Sequence, residues 1–78
     1  MVNVLVCDDE KDIVSALRIY LESEGYQVYT AYDGLEALEV LETKEIHLVL
    51  LDVMMPRMDG IQMTVKLREK YDFPVIFL

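Results

Sequence analysis

The run from Ile46 to Leu51 constrains the fold more than any other stretch. Five of its six residues are apolar, they do not alternate with polar ones, and the run stops abruptly at Asp52. A strand with one solvated face alternates with period two, whereas an unbroken apolar strand belongs where helices cover both faces of a parallel sheet. Parallel neighbours cannot be joined by tight hairpins and need helical crossovers. The remainder of the chain should therefore alternate short strands with amphipathic helices.

It does. Val2 to Val6 is a short run rich in β-branched residues that ends in Cys7-Asp8-Asp9-Glu10, as a strand delivering carboxylates to its C-terminal tip would. From Asp12 to Glu24, Ile13, Ala16, Leu17, Tyr20 and Leu21 recur at spacings of three and four and predict the buried stripe of a helix, opposite Lys11, Ser15, Arg18 and Glu22. Gly25 then supplies a left-handed C-cap. Tyr26 to Ala31 alternates weakly and predicts a strand at or near a sheet edge.

Asp33 with Glu36 is a capping-box pattern for a second helix to about Glu42, with Leu35, Leu38, Leu41 and Ala37 as its inner face. The run to Leu51 is the central strand. Pro56 to Gly60 is a loop, and Asp59 with Gln62 repeats the capping pattern for a third helix to about Lys70. Pro74 to Leu78 is a fourth strand, with Pro where a missing N–H costs least. The order βαβαβαβ implies right-handed crossovers and a doubly wound parallel α/β sheet in one domain over residues 1–78, with no repeat and no linker.

Composition excludes several classes of function. Seven Lys and Arg against fifteen Asp and Glu give a net charge of −8, which repels nucleic acid and anionic lipid. No apolar run approaches the roughly 18–20 residues that span a bilayer. One cysteine cannot close an internal disulfide, and one Cys with one His makes no zinc site. The expected location is the cytoplasm. Cys7, flanked by carboxylates, should be a small buried hydrophobe, and His47 a surface or satisfied strand residue at the end of the sheet away from the acidic cluster. Met54, Met55 and Met58 fit packing or partner contact, and Arg57 an exposed loop cation.

In open α/β sheets ligands bind beyond the C-terminal ends of the strands, where the chain order reverses. With the first and third strands adjacent, Asp8 and Asp9 lie beside Asp52. Three carboxylates in one cleft raise one another's proton affinity unless a cation is present, and an all-oxygen donor set suits a hard divalent ion, Mg²⁺ before others. A carboxylate beside such an ion can accept a phosphoryl group, and Asp52, ending what should be the most buried strand, is the candidate nucleophile. The competing explanation is that Asp8-Asp9-Glu10 only caps the first helix.

The runs Leu5-Val6-Cys7-Asp8-Asp9-Glu10, Leu48 to Gly60 with Asp52-Val53-Met54-Met55-Pro56-Arg57-Met58-Asp59-Gly60, and Pro74-Val75-Ile76-Phe77-Leu78 resemble the receiver domain of bacterial two-component response regulators over the whole chain. The resemblance implies a flavodoxin-like sheet of order 2-1-3-4. It also implies Asp52 as phosphoacceptor, and Mg²⁺ held by Asp8, Asp9, Asp52 and the backbone carbonyl of Met54. Pro56 and Gly60 would shape the loop after the acceptor. A sensor histidine kinase would be the donor and transcription the output, with DNA bound by a separate effector domain. The Gly60-to-Pro74 spacing resembles the subfamily with winged-helix effectors. Such a domain is a signalling module that assists only its own phosphorylation and dephosphorylation.

The family continues past the fourth strand with a hydroxyl residue at its tip, a fourth helix, a fifth strand carrying a Lys, and a fifth helix. The resemblance therefore implies an N-terminal fragment of a receiver domain, not competent to switch, whose uncovered last strand pairs with a second copy or an exchanged element. The alternative of a different class is an aspartyl-nucleophile phosphohydrolase of haloacid-dehalogenase type. That group places a second Asp two residues after the nucleophile, where this chain has Met54. A nucleotide-binding fold would need a glycine-rich loop after Val6, and none follows.

Overall fold

A computed structural model describes residues 1–52 and 60–78, without the side chains of residues 61 and 63. Its elements in chain order are β1 (Asn3–Cys7), α1 (Lys11–Ser23), β2 (Gln27–Ala31), α2 (Gly34–Thr43), β3 (Leu48–Leu51), α3 (Gly60–Arg68) and β4 (Val75–Phe77). The strands pair in parallel in the order β2-β1-β3-β4, with β2 at an edge as the alternation predicts. The chain moves one way from β1 to β2, then crosses back to β3 and on to β4. The reversal falls between β1 and β3.

Each inner strand divides its side chains between two cores. Leu5 and Cys7 of β1 join Val49 and Leu51 of β3 in the core beneath Ala37 and Leu41 of α2 and Leu67 of α3. Val4 and Val6 face the other way and pack with Val14 of α1 and Val28 of β2, with Leu17, Leu21, Leu48 and Leu50 partly buried beside them. This two-sided burial is why the strands read as apolar runs without alternation. β1, not β3, is the most completely buried strand, since Leu48 and Leu50 of β3 are only partly buried. Val4, Leu5, Val6 and Cys7 are all fully buried.

The helical faces differ from the predicted ones. In α1 the residues against the sheet are Val14, Leu17 and Leu21, whereas Ile13, Ala16 and Tyr20 face solvent, Tyr20 with 61% of its surface exposed. Consecutive residues stand about 100° apart around a helix, so a narrow contact that admits Val14 turns Ile13 away. In α2, Leu35 is exposed while Ala37 and Leu41 are buried and Leu38 and Val40 partly so. Leu35 and Ala37 lie about 200° apart and cannot share a face.

The caps form as expected. Gly25 has φ 94°, and the Gly25 N–H to Glu22 O and Tyr26 N–H to Leu21 O bonds, both 3.1 Å, close α1 in a Schellman motif. The Asp33 side chain accepts from the Glu36 N–H at 2.8 Å, and the Glu36 carboxylate accepts in return from the Tyr32 N–H at 3.0 Å. Asp59, the predicted cap of α3, lies outside the described residues. Among the described residues no helix is long and apolar enough to cross a membrane.

Candidate functional site

Backbone pairing at the switch point sets the acidic residues. In the register of β1 with β3, Cys7 faces Leu51, and the Asp52 N–H donates to the Cys7 carbonyl at 2.9 Å. On the other side Cys7 faces Ala31, and the Asp8 N–H donates to the Ala31 carbonyl at 3.1 Å. Asp8 and Asp52 therefore leave their strands next to each other. Asp8, Asp9 and Asp52 each offer a carboxylate oxygen, and these oxygens all lie within 4.8 Å of one another.

The three carboxyls differ in burial. Asp8 is only 4% exposed, Asp52 is half-buried and Asp9 is exposed. Asp8, which the sequence suggests is the more solvated, is thus the deepest, because its backbone is locked to β2 and its Oδ1 accepts from the Glu10 N–H at 2.9 Å. Burial pushes the Asp8 carboxyl above the ordinary carboxylate range. The Glu10 amide opposes that shift, while the Asp52 charge, a side-chain hydrogen bond with Asp52, and Asp9 reinforce it. Glu10 occupies the N-cap of α1 and makes no side-chain cap bond, while its N–H donates to the Asp8 carboxylate.

The donor set fits a hard divalent cation. Opposite ligands of an octahedral Mg²⁺ stand about 4.2 Å apart, a separation comparable to the 4.8 Å within which these oxygens all lie. Among the described residues no soft ligand competes. Cys7 is fully buried and its Sγ–H donates to the Asp33 carbonyl at 3.7 Å. Burial above all, then the charges of Asp8, Asp52 and Glu36, push the Cys7 thiol up to about 12, so it is no thiolate. Met54, whose carbonyl the resemblance assigns to the metal, lies outside the described residues, as do Met55, Pro56, Arg57 and Met58.

His47 sits at the opposite end of the sheet. Its Nδ1 accepts from the Asn3 N–H at 2.9 Å, and its own N–H donates to the Asn3 carbonyl at 2.8 Å. It is an exposed residue just before β3, with its Nε2 3.4 Å from the Glu45 carboxylate. One feature of the site escapes the sequence: the Lys11 ammonium lies 5.4 Å from the centroid of the Tyr32 ring, at the tip of β2. Helical periodicity reads Lys11 only as part of the polar face of α1.

A parallel doubly wound sheet with a carboxylate triad at its switch point is the architecture of a phosphoryl-accepting or metal-dependent α/β domain. The comparisons narrow that class. The family model of the response regulator receiver domain matches residues 4–78, and the chain belongs to that family. A Francisella response regulator receiver domain shares 36% identity over 99% of this chain and 64% of its own, with a TM-score of 0.93.

A response regulator from Thermotoga maritima, solved in complex with Mg²⁺-BeF, shares 29% identity over 97% of this chain and 86% of its own, at TM-score 0.86. The receiver domain of a Syntrophus aciditrophicus histidine kinase shares 32% identity over 100% of this chain and 61% of its own, at TM-score 0.93. The chain thus spans 64% of the length of the Francisella chain. Nothing in these matches supports a hydrolase of haloacid-dehalogenase type.

Proposed function

We propose that Asp52 accepts a phosphoryl group from a phosphohistidine of a sensor kinase, and that Asp8, Asp9 and Asp52, with the backbone carbonyl of Met54, hold the Mg²⁺ that the transfer needs. The observation that carries this reading is the convergence of three carboxylate oxygens within 4.8 Å at the switch point of the sheet. A Thermotoga relative solved with Mg²⁺-BeF supports the ion.

In the transfer, an Asp52 carboxylate oxygen forms the new bond to phosphorus in line with the P–N bond that breaks. The departing imidazole keeps the electron pair and takes a proton from solvent. When bound, Mg²⁺ neutralises the charge that accumulates among carboxylates and phosphoryl oxygens. This chain's own contribution is placement. Cys7 and Ala31 carbonyls fix the backbones of Asp52 and Asp8, and the Glu10 amide fixes the Asp8 carboxylate. The setting is the cytoplasm, and the output is a downstream partner, transcription through a DNA-binding effector; residues 1–78, at net charge −8, do not bind nucleic acid themselves.

Calorimetric titration with Mg²⁺ tests the metal assignment. Wild type should bind one ion, and Asp9→Asn and Asp52→Asn should each weaken binding by about tenfold or more. Unchanged binding in both variants would remove the assignment.

A further inference from the structure

We infer that Lys11, held against Tyr32, is a cation that receives the phosphoryl dianion of an incoming donor at the rim of this site; the inference rests on Asp52 being the acceptor. Four carboxylates, Asp8, Asp9, Glu10 and Asp12, surround Lys11 in sequence, yet among the described residues it forms no ion pair with any of them. Its ammonium instead lies over the Tyr32 ring at 5.4 Å. Tyr32 is half-buried against the core of Val4, Val6, Val14 and Val28, and its N–H is tied to the Glu36 carboxylate at 3.0 Å. The ring is therefore a fixed platform, and it directly follows Ala31, whose carbonyl binds the Asp8 amide.

Topology isolates this cation. Helices in a βαβ unit run back against the strands, so the first turn of α1 lies at the sheet edge that carries Asp8, Asp9 and Asp52. Lys44 follows the end of α2, and Lys66, Arg68 and Lys70 lie in or just past the last turn of α3, at the opposite edge. Arg18 is in mid-helix and paired with Glu22 at 3.4 Å. Among the described residues Lys11 is thus the one Lys or Arg at the carboxylate edge, and its side chain is exposed.

A phosphoryl donor brings about two negative charges to a pocket that is already acidic, and one exposed ammonium at the rim favours entry by focusing the field there. With an acyl phosphate, an Asp52 oxygen bonds to phosphorus, the acyl C–O–P bond breaks at phosphorus, and the carboxylate leaves with the electron pair. No proton is required. Lys11 touches the phosphoryl oxygens and not the leaving group, so it should act alike on donors that differ only in what leaves.

The test measures rates of phosphoryl addition by intact mass for the receiver expressed in its full reading frame, with acetyl phosphate (P–O) and phosphoramidate (P–N) as donors. Lys11→Gln should slow both donors by about three- to tenfold, flatten their salt dependence, and leave Mg²⁺ affinity equal or slightly tighter, since a positive neighbour is removed. Lys11→Arg should restore the rate. Unchanged rates overturn the inference and leave Asp52 standing. A loss confined to acetyl phosphate, or a parallel loss of Mg²⁺ affinity, also overturns it. No addition to wild type by either donor overturns it together with the acceptor assignment.

Discussion

The Asp52 amide donates to the Cys7 carbonyl at 2.9 Å, which sets Asp52 one residue along its strand beside Asp8. That single ladder bond converts two separate strand ends into one carboxylate pair. It makes the electrostatics of Asp8 a property of the folded state alone.

Because burial raises the Asp8 proton affinity, protons are bound more tightly in the folded chain than in the unfolded one. The stability this lends is fully present below the unfolded carboxylate pKa and is lost as pH rises through the raised folded value. Asp8→Asn keeps the Oδ1 acceptor for the Glu10 amide and removes the charge. Thermal melts without metal should therefore show the variant a few degrees more stable than wild type at pH 7, with the difference vanishing near pH 3. Added Mg²⁺ should stabilise wild type only. Equal melts at pH 7 would mean that Asp8 carries no penalty.

Cys7 gives an alkaline counterpart. Burial pushes its thiol up to about 12 from an ordinary 9.0, so wild type should lose stability as pH rises from 9 toward 12, and Cys7→Ala should lose less over that range. Ellman's reagent should find no reactive thiol at pH 8 in the native chain and one per chain in denaturant.

The face of α1 separates two readings of one helix. Val14→Ala, in the fully buried stripe, should cost about 2 kcal/mol in urea unfolding, and Ile13→Ala, on the exposed side, under about 0.5 kcal/mol. Similar costs at both positions would place the helix in a different rotation.

Asp33 is buried and caps α2 through the Glu36 amide at 2.8 Å. Asp33→Ala should destabilise by about 1 kcal/mol, and Asp33→Asn, which keeps an acceptor oxygen, should recover most of it. Failure of Asn to recover would assign the loss to charge and not to the cap.

Element order, strand direction and the acidic convergence are legible in the sequence because each follows from a local pattern. Apolar runs without alternation mark covered strands, Gly25 and Asp33 punctuate the helices, and strand tips ending in Asp8 and Asp52 point to one edge. The rotation of α1 is not legible, since Ile13 and Val14 satisfy the helical period equally and only contact with Val4, Val6 and Val28 decides between them. Nor is the depth of Asp8 legible. A run of three acids reads as solvated, while its burial comes from pairing with Ala31, 23 residues away. Lys11 escapes for the same reason: its partner Tyr32 is brought near by the fold and not by spacing.

The central claim is that Asp52 is the phosphoacceptor. Intact mass of the receiver in its full reading frame, after incubation with a small phosphoryl donor and Mg²⁺, measures it most directly. Wild type should gain the mass of one phosphoryl group, lost again on treatment with hydroxylamine, and Asp52→Asn should gain none. Equal addition to Asp52→Asn, or none to wild type in a chain shown to be folded, would contradict it.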